Sequence, residues 1–270
     1  MSEKKPDVIY FVGCTSSYRT TEIAIATVKI LEKAGVNFKI MSPDEWCCGS
    51  PMINTGQLEG AKKTMEHNLK SIRESGVEVV ITSCAGCFKT FKYYYPKVFG
   101  ELGFEVKHTI EYIDQLLREG DLELEKELNL KVTYHDPCHL GRLSEPFVPW
   151  EGERDHFGRY TPTKKMSRGV FGVYDAPRNV LKRIPGVELI EMERVKENAW
   201  CCGAGGGVKS AYRDFALWTA SERIEEVKTT GADVLTSCCP FCKMNLHDAI
   251  KQKDEKMEIY DVIELVSKCI

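Results

Sequence analysis

No run in the 270-residue sequence approaches the roughly 18 apolar residues that a membrane-spanning helix needs. Neither sign of charge dominates: 37 basic residues against 40 acidic leave a net charge of −3, which argues against a general polyanion binder. The opening MSEKKPDVIYFVG passes from a short charged lead straight into a strand-like run. It has neither the apolar stretch nor the small-residue cleavage site of a secretory signal, so a cytoplasmic location is expected, with any membrane association made through a partner. The small secreted character that a disulfide scaffold demands is also missing. The glycines Gly203, Gly205, Gly206 and Gly207 lack the spacing of a phosphate-cradling fingerprint, which leaves a nucleotide disfavoured. What remains is an ordinary globular composition, 43% hydrophobic and 29% charged, in a chain long enough for one large domain or two of about 130 residues.

Cysteine is the exception to that ordinariness. There are twelve, at positions 14, 47, 48, 84, 87, 138, 201, 202, 238, 239, 242 and 269. In a reducing compartment, grouped cysteines hold metal or do redox work. Two pairs are adjacent and closed by glycine, Trp46-Cys47-Cys48-Gly49 and Trp200-Cys201-Cys202-Gly203. A disulfide within such a pair strains the peptide between its members, whereas neighbouring metal atoms suit it well. The first half reads Cys14, 32 residues, Cys47-Cys48, 35 residues, Cys84-x-x-Cys87. The second reads Cys138, 62 residues, Cys201-Cys202, 36 residues, Cys239-x-x-Cys242. Five thiolates per half exceed what four-coordinate zinc or an ordinary four-cysteine cluster uses. Soft thiolates select zinc, copper(I) or iron–sulfur, and the fifth ligand favours iron–sulfur over a zinc reading of either half.

The cysteines fall at the ends of strand-like runs in an alternating strand and helix pattern. DVIYFVG leads to Cys14, VNFKIM (36–41) to the first CCG, and VEVVIT (77–82) to Cys84. KVTYHD (131–136), VELIEM (187–192) and ADVLTS do the same in the second half. The helical stretches TTEIAIATVKILEKAG, GQLEGAKKTMEHNLKSIRESG, KTFKYYY, IEYIDQLLREG, APRNVLKRIPG and VKSAYRDFALWTASERIEEVKTTG separate them. The expected fold is α/β, two pseudo-symmetric repeats of parallel βα units with cysteines gathered beyond the carboxyl ends of strands. The expected boundaries are 1–125 and 126–270. The pairs Cys47 and Cys201, Cys48 and Cys202, and Cys84 and Cys238 are each 154 apart, and the tail helices match Tyr112 with Asp261 at 149. This offset pairs Cys84 with Cys238, but only Cys239 has a cysteine three residues on, so Cys239 is preferred and Cys238 left as a spare. The second half carries about thirty extra residues near 143–172, rich in Pro, Gly, aromatic and basic residues; an ordered lid or docking surface is expected there.

The doubled motif, with HDPCHLG, NAWCCGAGGGVK and CCPFC around it, resembles the CCG-domain (cysteine-rich domain) family over nearly the whole chain. Within it the sequence is most similar to the B subunit of heterodisulfide reductase and the C-terminal part of its D subunit. The resemblance implies two noncubane [4Fe-4S] clusters, one on Cys14, Cys47, Cys48, Cys84 and Cys87 and one on Cys138, Cys201, Cys202, Cys239 and Cys242. It further implies reduction of a disulfide between them, that of coenzyme M and coenzyme B or a similar one. No C-x-x-C-x-x-C ferredoxin run is present. A ferredoxin-like iron–sulfur partner similar to the C subunit of heterodisulfide reductase is therefore expected, with a flavoprotein or membrane cytochrome beyond it. The alternative is a non-catalytic electron-transfer subunit that passes electrons to a quinone or another carrier.

Beyond the cysteines, His135 and His139 are candidates to donate hydrogen bonds to cluster sulfur or protons to a leaving thiolate, against a plain packing role. Arg142, Arg168 and Lys209, with Arg154, Arg159, Lys164 and Lys165 of the insertion, are candidates to hold an anionic substrate, against a solvated face. Trp46 and Trp200 are expected to pack over the clusters, Tyr93, Tyr94 and Tyr95 to serve the core or an interface, and Cys269 to be idle.

Overall fold

The computed structural model describes residues 5–270. The first half runs β1 (Val8–Tyr10), α1 (Cys14–Tyr18), α2 (Thr21–Lys33), β2 (Phe38–Ile40), α3 (Ser50–Asn54), α4 (Leu58–Ser75), β3 (Val79–Thr82), α5 (Ala85–Lys89), a π-helical turn (Thr90–Tyr94), α6 (Tyr95–Phe99), β4 (Glu105–His108) and α7 (Thr109–Glu119). The second runs β5 (Leu130–His135), β6 (Glu153–Arg154), β7 (Tyr160–Thr161), α8 (Asp175–Arg183), β8 (Val187–Leu189), a 3-10 turn (Lys196–Asn198), α9 (Val208–Ala211), α10 (Arg213–Lys228), β9 (Val234–Ser237), α11 (Pro240–Gln252), β10 (Glu258–Asp261) and α12 (Val262–Cys269).

Two four-stranded parallel sheets result, ordered β2-β1-β3-β4 and β8-β5-β9-β10. With β1 set against β5, β2 against β8, β3 against β9 and β4 against β10, the two orders are identical. The fold is therefore α/β, built from two pseudo-repeated sets of parallel βα units. Val8–Tyr10 and Val234–Ser237 are buried along their whole length, as strands of parallel sheets covered by helices are. Helices also bind the halves to each other: α7 packs on α8 and α12 on α2, a pseudo-symmetric exchange. One contiguous core contains residues of both halves, from Ile9 and Ile23 to Val262 and Leu265. Among the described residues no helix is long and apolar enough to cross a membrane.

Three details differ from the sequence reading. The tail helices align at 153 rather than 149. His108 and Asp261 are the N-caps of α7 and α12, each in a capping box with Glu111 or Glu264. The error of four is one helical turn, over which an amphipathic pattern looks alike. The long helix expected after the second CCG is broken at Tyr212 (φ −139°, ψ 66°) into α9 and α10. Within the insertion, Glu153 pairs with Thr161 and Arg154 with Tyr160 as a short antiparallel ribbon. Trp150 caps it, its indole donating to the Pro162 carbonyl at 3.0 Å.

Candidate metal centre

Each set of five cysteines is assembled by the same elements. Cys14 opens the short helix after β1, and Cys138 follows β5. Cys84 and Cys239 are the N-caps of α5 and α11, one turn before Cys87 and Cys242. That equivalence resolves the ambiguity in the repeat. Strands β3 and β9 match at an offset of 155, so Cys239 stands where Cys84 does and Cys238 where Ser83 does. Ser83 bonds Tyr10 at 2.9 Å, and Cys238 lies against Tyr134, the counterpart of Tyr10. One extra residue after the second CCG is what made a count of 154 mislead.

The thiols form an unbroken line of side-chain contacts. Cys14 meets Cys47, Cys47 meets Cys48, Cys48 meets Cys87, and Cys87 meets Cys84. Cys84 then meets Cys239 across the boundary between the halves. Cys239 meets Cys242, Cys242 meets Cys202, Cys202 meets Cys201, and Cys201 meets Cys138. Exposure is graded alike in both sets. Cys14, Cys47, Cys138 and Cys201 retain access, while Cys48, Cys84, Cys87, Cys202, Cys239 and Cys242 are buried. His135 joins the second set, its ring and the sulfurs of Cys202 and Cys242 offering ligand atoms within 4.8 Å of one another.

The backbone is shaped to the sulfurs. Gly13, Gly49 and Gly203 have φ of +77°, +93° and +80°, a region that favours glycine. A Cβ on Gly13 would stand 3.1 Å from Cys87 Sγ, and one on Gly203 2.5 Å from the Ala216 carbonyl oxygen. Backbone N–H groups point at thiols, that of Gly203 at Cys201 Sγ over 3.3 Å. The N–H groups of Gly86 and Cys87 serve Cys84, and that of Ser50 serves Cys48.

Polar residues outside the cysteine motifs hold these loops. Glu45 accepts from the backbone of Gly13 at 2.7 Å and Val12 at 2.9 Å, fixing the turn into Cys14. Buried Asn68 on α4 accepts from Trp46 N and donates to the carbonyls of Trp46 and Cys47. Asn245 on α11 donates to the Cys202 carbonyl at 2.6 Å. Beside Cys138, Arg178 grips Asp136 with two bonds of 2.8 and 2.9 Å and Glu191 at 2.6 Å. These residues escaped the sequence reading; for Asn68 the available signal was a polar residue inside the buried stripe of α4.

Crowding governs the thiols' ionisation. Donation from Cys138 and Cys202 pushes Cys201 down to about 2. Cys138, donating to Cys201 and desolvated, is pushed far up. In the first set, donation from Cys47 and Cys87 pushes Cys48 down to about 5, and Cys87 moves up. Without added positive charge only some of these sulfurs can ionise together. This donor set fits a multinuclear metal centre, which supplies that charge. Burial holds His135 down to about 3, with Arg223 adding to the effect, and His139 down to about 4, with Lys89 adding. His139 Nδ1 lies 3.7 Å from where a Cβ on Gly86 would sit, which puts an imidazole of the second half beside the Cys84–Cys87 turn of the first.

The remaining candidates are placed differently from one another. Arg142 donates to the carbonyls of Glu197 and Ala199, and Lys209 to Asn245 and to Asp248 at 2.6 Å, so both are engaged in holding the fold. Arg168 is exposed on the insertion. There Arg159 pairs with Asp155, Arg154 lies over Tyr160, Lys164 over Trp150 and Lys165 over Phe171. The tryptophans of the WCCG motifs face outward: Trp46 stacks on His67 at 3.9 Å and Trp200 lies under Arg194 at 4.1 Å. Tyr95 is fully buried, while Tyr93 meets Phe147 of the insertion at 5.6 Å. Cys269 is buried and donates to the Leu265 carbonyl.

A doubled five-thiol arrangement of this kind has a family. The model of the cysteine-rich domain, CCG, matches residues 8–92 and 160–247. The chain belongs to the CCG cysteine-rich domain family. It is 43% identical over 272 residues to the D subunit of the dihydromethanophenazine:CoB–CoM heterodisulfide reductase of Methanosarcina mazei, covering 99% of this chain and 60% of that protein. The probable iron-sulfur-binding oxidoreductase FadF of Bacillus subtilis is 32% identical, over 99% of this chain and 34% of its own length. The EtfAB:quinone oxidoreductase of Syntrophomonas wolfei is 31% identical, over 99% and 35%. The CCG chain thus spans 60% or less of the length of these relatives.

Proposed function

We propose that this chain is an iron–sulfur subunit of a heterodisulfide-reductase-like complex that reduces a disulfide. It divides near residue 125 into CCG halves 1–125 and 126–270. Cys14, Cys47, Cys48, Cys84 and Cys87 would hold one noncubane [4Fe-4S] cluster, and Cys138, Cys201, Cys202, Cys239 and Cys242 the other. The observation that carries this reading is the line of ten thiols, five from each half, that closes at Cys84 and Cys239. When bound, such clusters supply electrons singly, and a disulfide takes two.

The chain's own residues do the rest. The glycine turns and backbone N–H groups keep the sulfurs converged, and Asn68, Asn245, Glu45 and Arg178 hold the loops that carry them. The more open thiols of each set, Cys14 with Cys47 and Cys138 with Cys201, mark the side from which a substrate reaches the centre. His135, whose ring nitrogen lies within 4.8 Å of the Cys202 and Cys242 sulfurs, would donate to sulfur, and His139, beside the Cys84–Cys87 turn, is the second candidate for that role. The relative's name makes the coenzyme M–coenzyme B heterodisulfide the first substrate to test. Electrons would arrive from a ferredoxin-like iron–sulfur subunit, fed in turn by a flavoprotein or membrane cytochrome.

The test is reductive cleavage of that heterodisulfide by the anaerobically reconstituted protein with reduced viologen, read as two free thiols per disulfide. No turnover with both sites loaded would favour a second reading, a non-catalytic subunit that passes electrons to a quinone or other carrier. The likeness to a quinone oxidoreductase is what keeps that reading in view.

A further inference from the structure

The two cysteine sets are assembled alike but sit in unlike electrostatic surroundings. Helices α4 and α10 bury equivalent stripes: Ala61, Met65, Asn68, Leu69 and Ile72 on one, Ala216, Ala220, Arg223, Ile224 and Val227 on the other, each pair 155 apart. Arg223 thus occupies the place of Asn68, and both side chains are fully buried. Three residues before the leading cysteine of each set, Phe11 stands in the first half and His135 in the second. Phe11 meets Phe91 edge-on at 4.9 Å, an apolar contact. His135 accepts from Arg223 Nε at its Nδ1 over 3.2 Å. Arg223 also donates through Nη1 to Glu226, and its Nη2 is buried without a partner.

An Nδ1 that accepts leaves the ring proton on Nε2. That atom is buried and unpartnered, and a nitrogen of the ring lies within 4.8 Å of the sulfurs of Cys202 and Cys242. Arg223 therefore fixes the imidazole as an N–H donor toward the second set of sulfurs and adds a buried positive charge behind it. Among the described residues the first set has no such pair at the equivalent positions, where Phe11 and Asn68 stand; Glu45 is bonded to the turn before Cys14. A buried cation and an N–H donor at sulfur both favour the added negative charge of reduction, strongly so where water is excluded.

We propose that Arg223 is a positioning residue, acting through His135, that makes the site held by Cys138, Cys201, Cys202, Cys239 and Cys242 the more easily reduced of the two. The first electron then settles on that site and the second on its partner, where Phe11 and Asn68 stand in place of His135 and Arg223. Glu226 moderates the effect by partly cancelling the guanidinium charge. This rests on the two-cluster reading above.

The experiment is a potentiometric titration of the reconstituted protein followed by electron paramagnetic resonance. Two separated midpoint potentials are expected, and the higher one should vanish in Cys242→Ser. The double substitution Arg223→Asn with Glu226→Ser gives the second site the residues found 155 positions earlier, Asn68 and Ser71, and should lower the higher potential toward the other. Glu226→Gln removes the opposing charge and should raise it, which a purely structural role for the pair would not do. Potentials that stay put in both variants, or move the same way in both, would overturn the proposal, as would survival of the higher signal in Cys242→Ser. A preparation that binds no iron would instead overturn the reading on which it rests.

Discussion

A thiol gains nothing from being buried beside four others unless something holds their charge, and both sets here place three of their five cysteines at 5% exposure or less. Cys202 sits mid-line in its set, between Cys201 and Cys242, with its carbonyl tied down by Asn245. Replacing Cys202 with Ala therefore removes the shared member of two contacts. About half the iron should be lost, with the signal of one site gone and the other unchanged, since each centre of the proposed pair binds its own iron. Metal analysis beside electron paramagnetic resonance reads this directly, and retention of both signals would strike Cys202 from the ligand set. The ten grouped cysteines were legible because motif spacing is written along the chain. Asn68, Arg223 and Asn245 were not, since their meaning depends on which loop or ring they meet across the fold. Asn68 and Arg223 still left a trace, as polar residues in line with Ala61 and Met65 or with Ala216 and Ala220.

Helix ends decide how the elements present those residues, and the two tail helices show one device built from different side chains. Asp261 caps α12 with a carboxylate, whereas His108 caps α7 by accepting at Nδ1 from Ile110 N over 3.2 Å. An imidazole can accept there only while neutral. Burial lowers His108 from 6.5 to about 4, so the neutral form is the one the fold favours. The sign follows: its contribution is present above the unfolded value near 6.5 and is lost as pH falls from there through 4. His108→Asn keeps an accepting cap and removes the titration, so its stability should fall less steeply than the wild type's between pH 6.5 and 4. Denaturant midpoints at several pH values check this, and parallel curves would show that the cap does not titrate. Strand and helix alternation was readable from periodicity. The break at Tyr212 was not, because the residues on both sides of it are helix formers and the extended φ of Tyr212 leaves no mark in the residue pattern.

Two sheets of matching order do not by themselves make one cooperative body; that depends on what crosses between them. Helix α12 lies on α2, and Lys243 joins Glu22 of the first half at 2.7 Å to Glu264 of the second at 2.6 Å. On the other flank α7 lies on α8, with Arg183 bonded to Asp114 at 2.8 Å. The core is continuous beneath both contacts, and the cysteine line crosses the same boundary. The duplication was visible as repeated spacing, but this exchange of helices was not, because equal offsets say nothing about how two copies face each other. Metal held by the folded chain and not by the unfolded one adds to stability by mass action. Fully loaded protein should carry about eight irons per chain, as two four-iron centres require, where a zinc protein would carry one or two metal atoms. Stripping the iron should lower the melting temperature yet leave a single calorimetric transition, because the shared core and the crossed helices remain. Two resolved transitions after stripping would mean that the metal, and not the packing of α2, α7, α8 and α12, joins the halves.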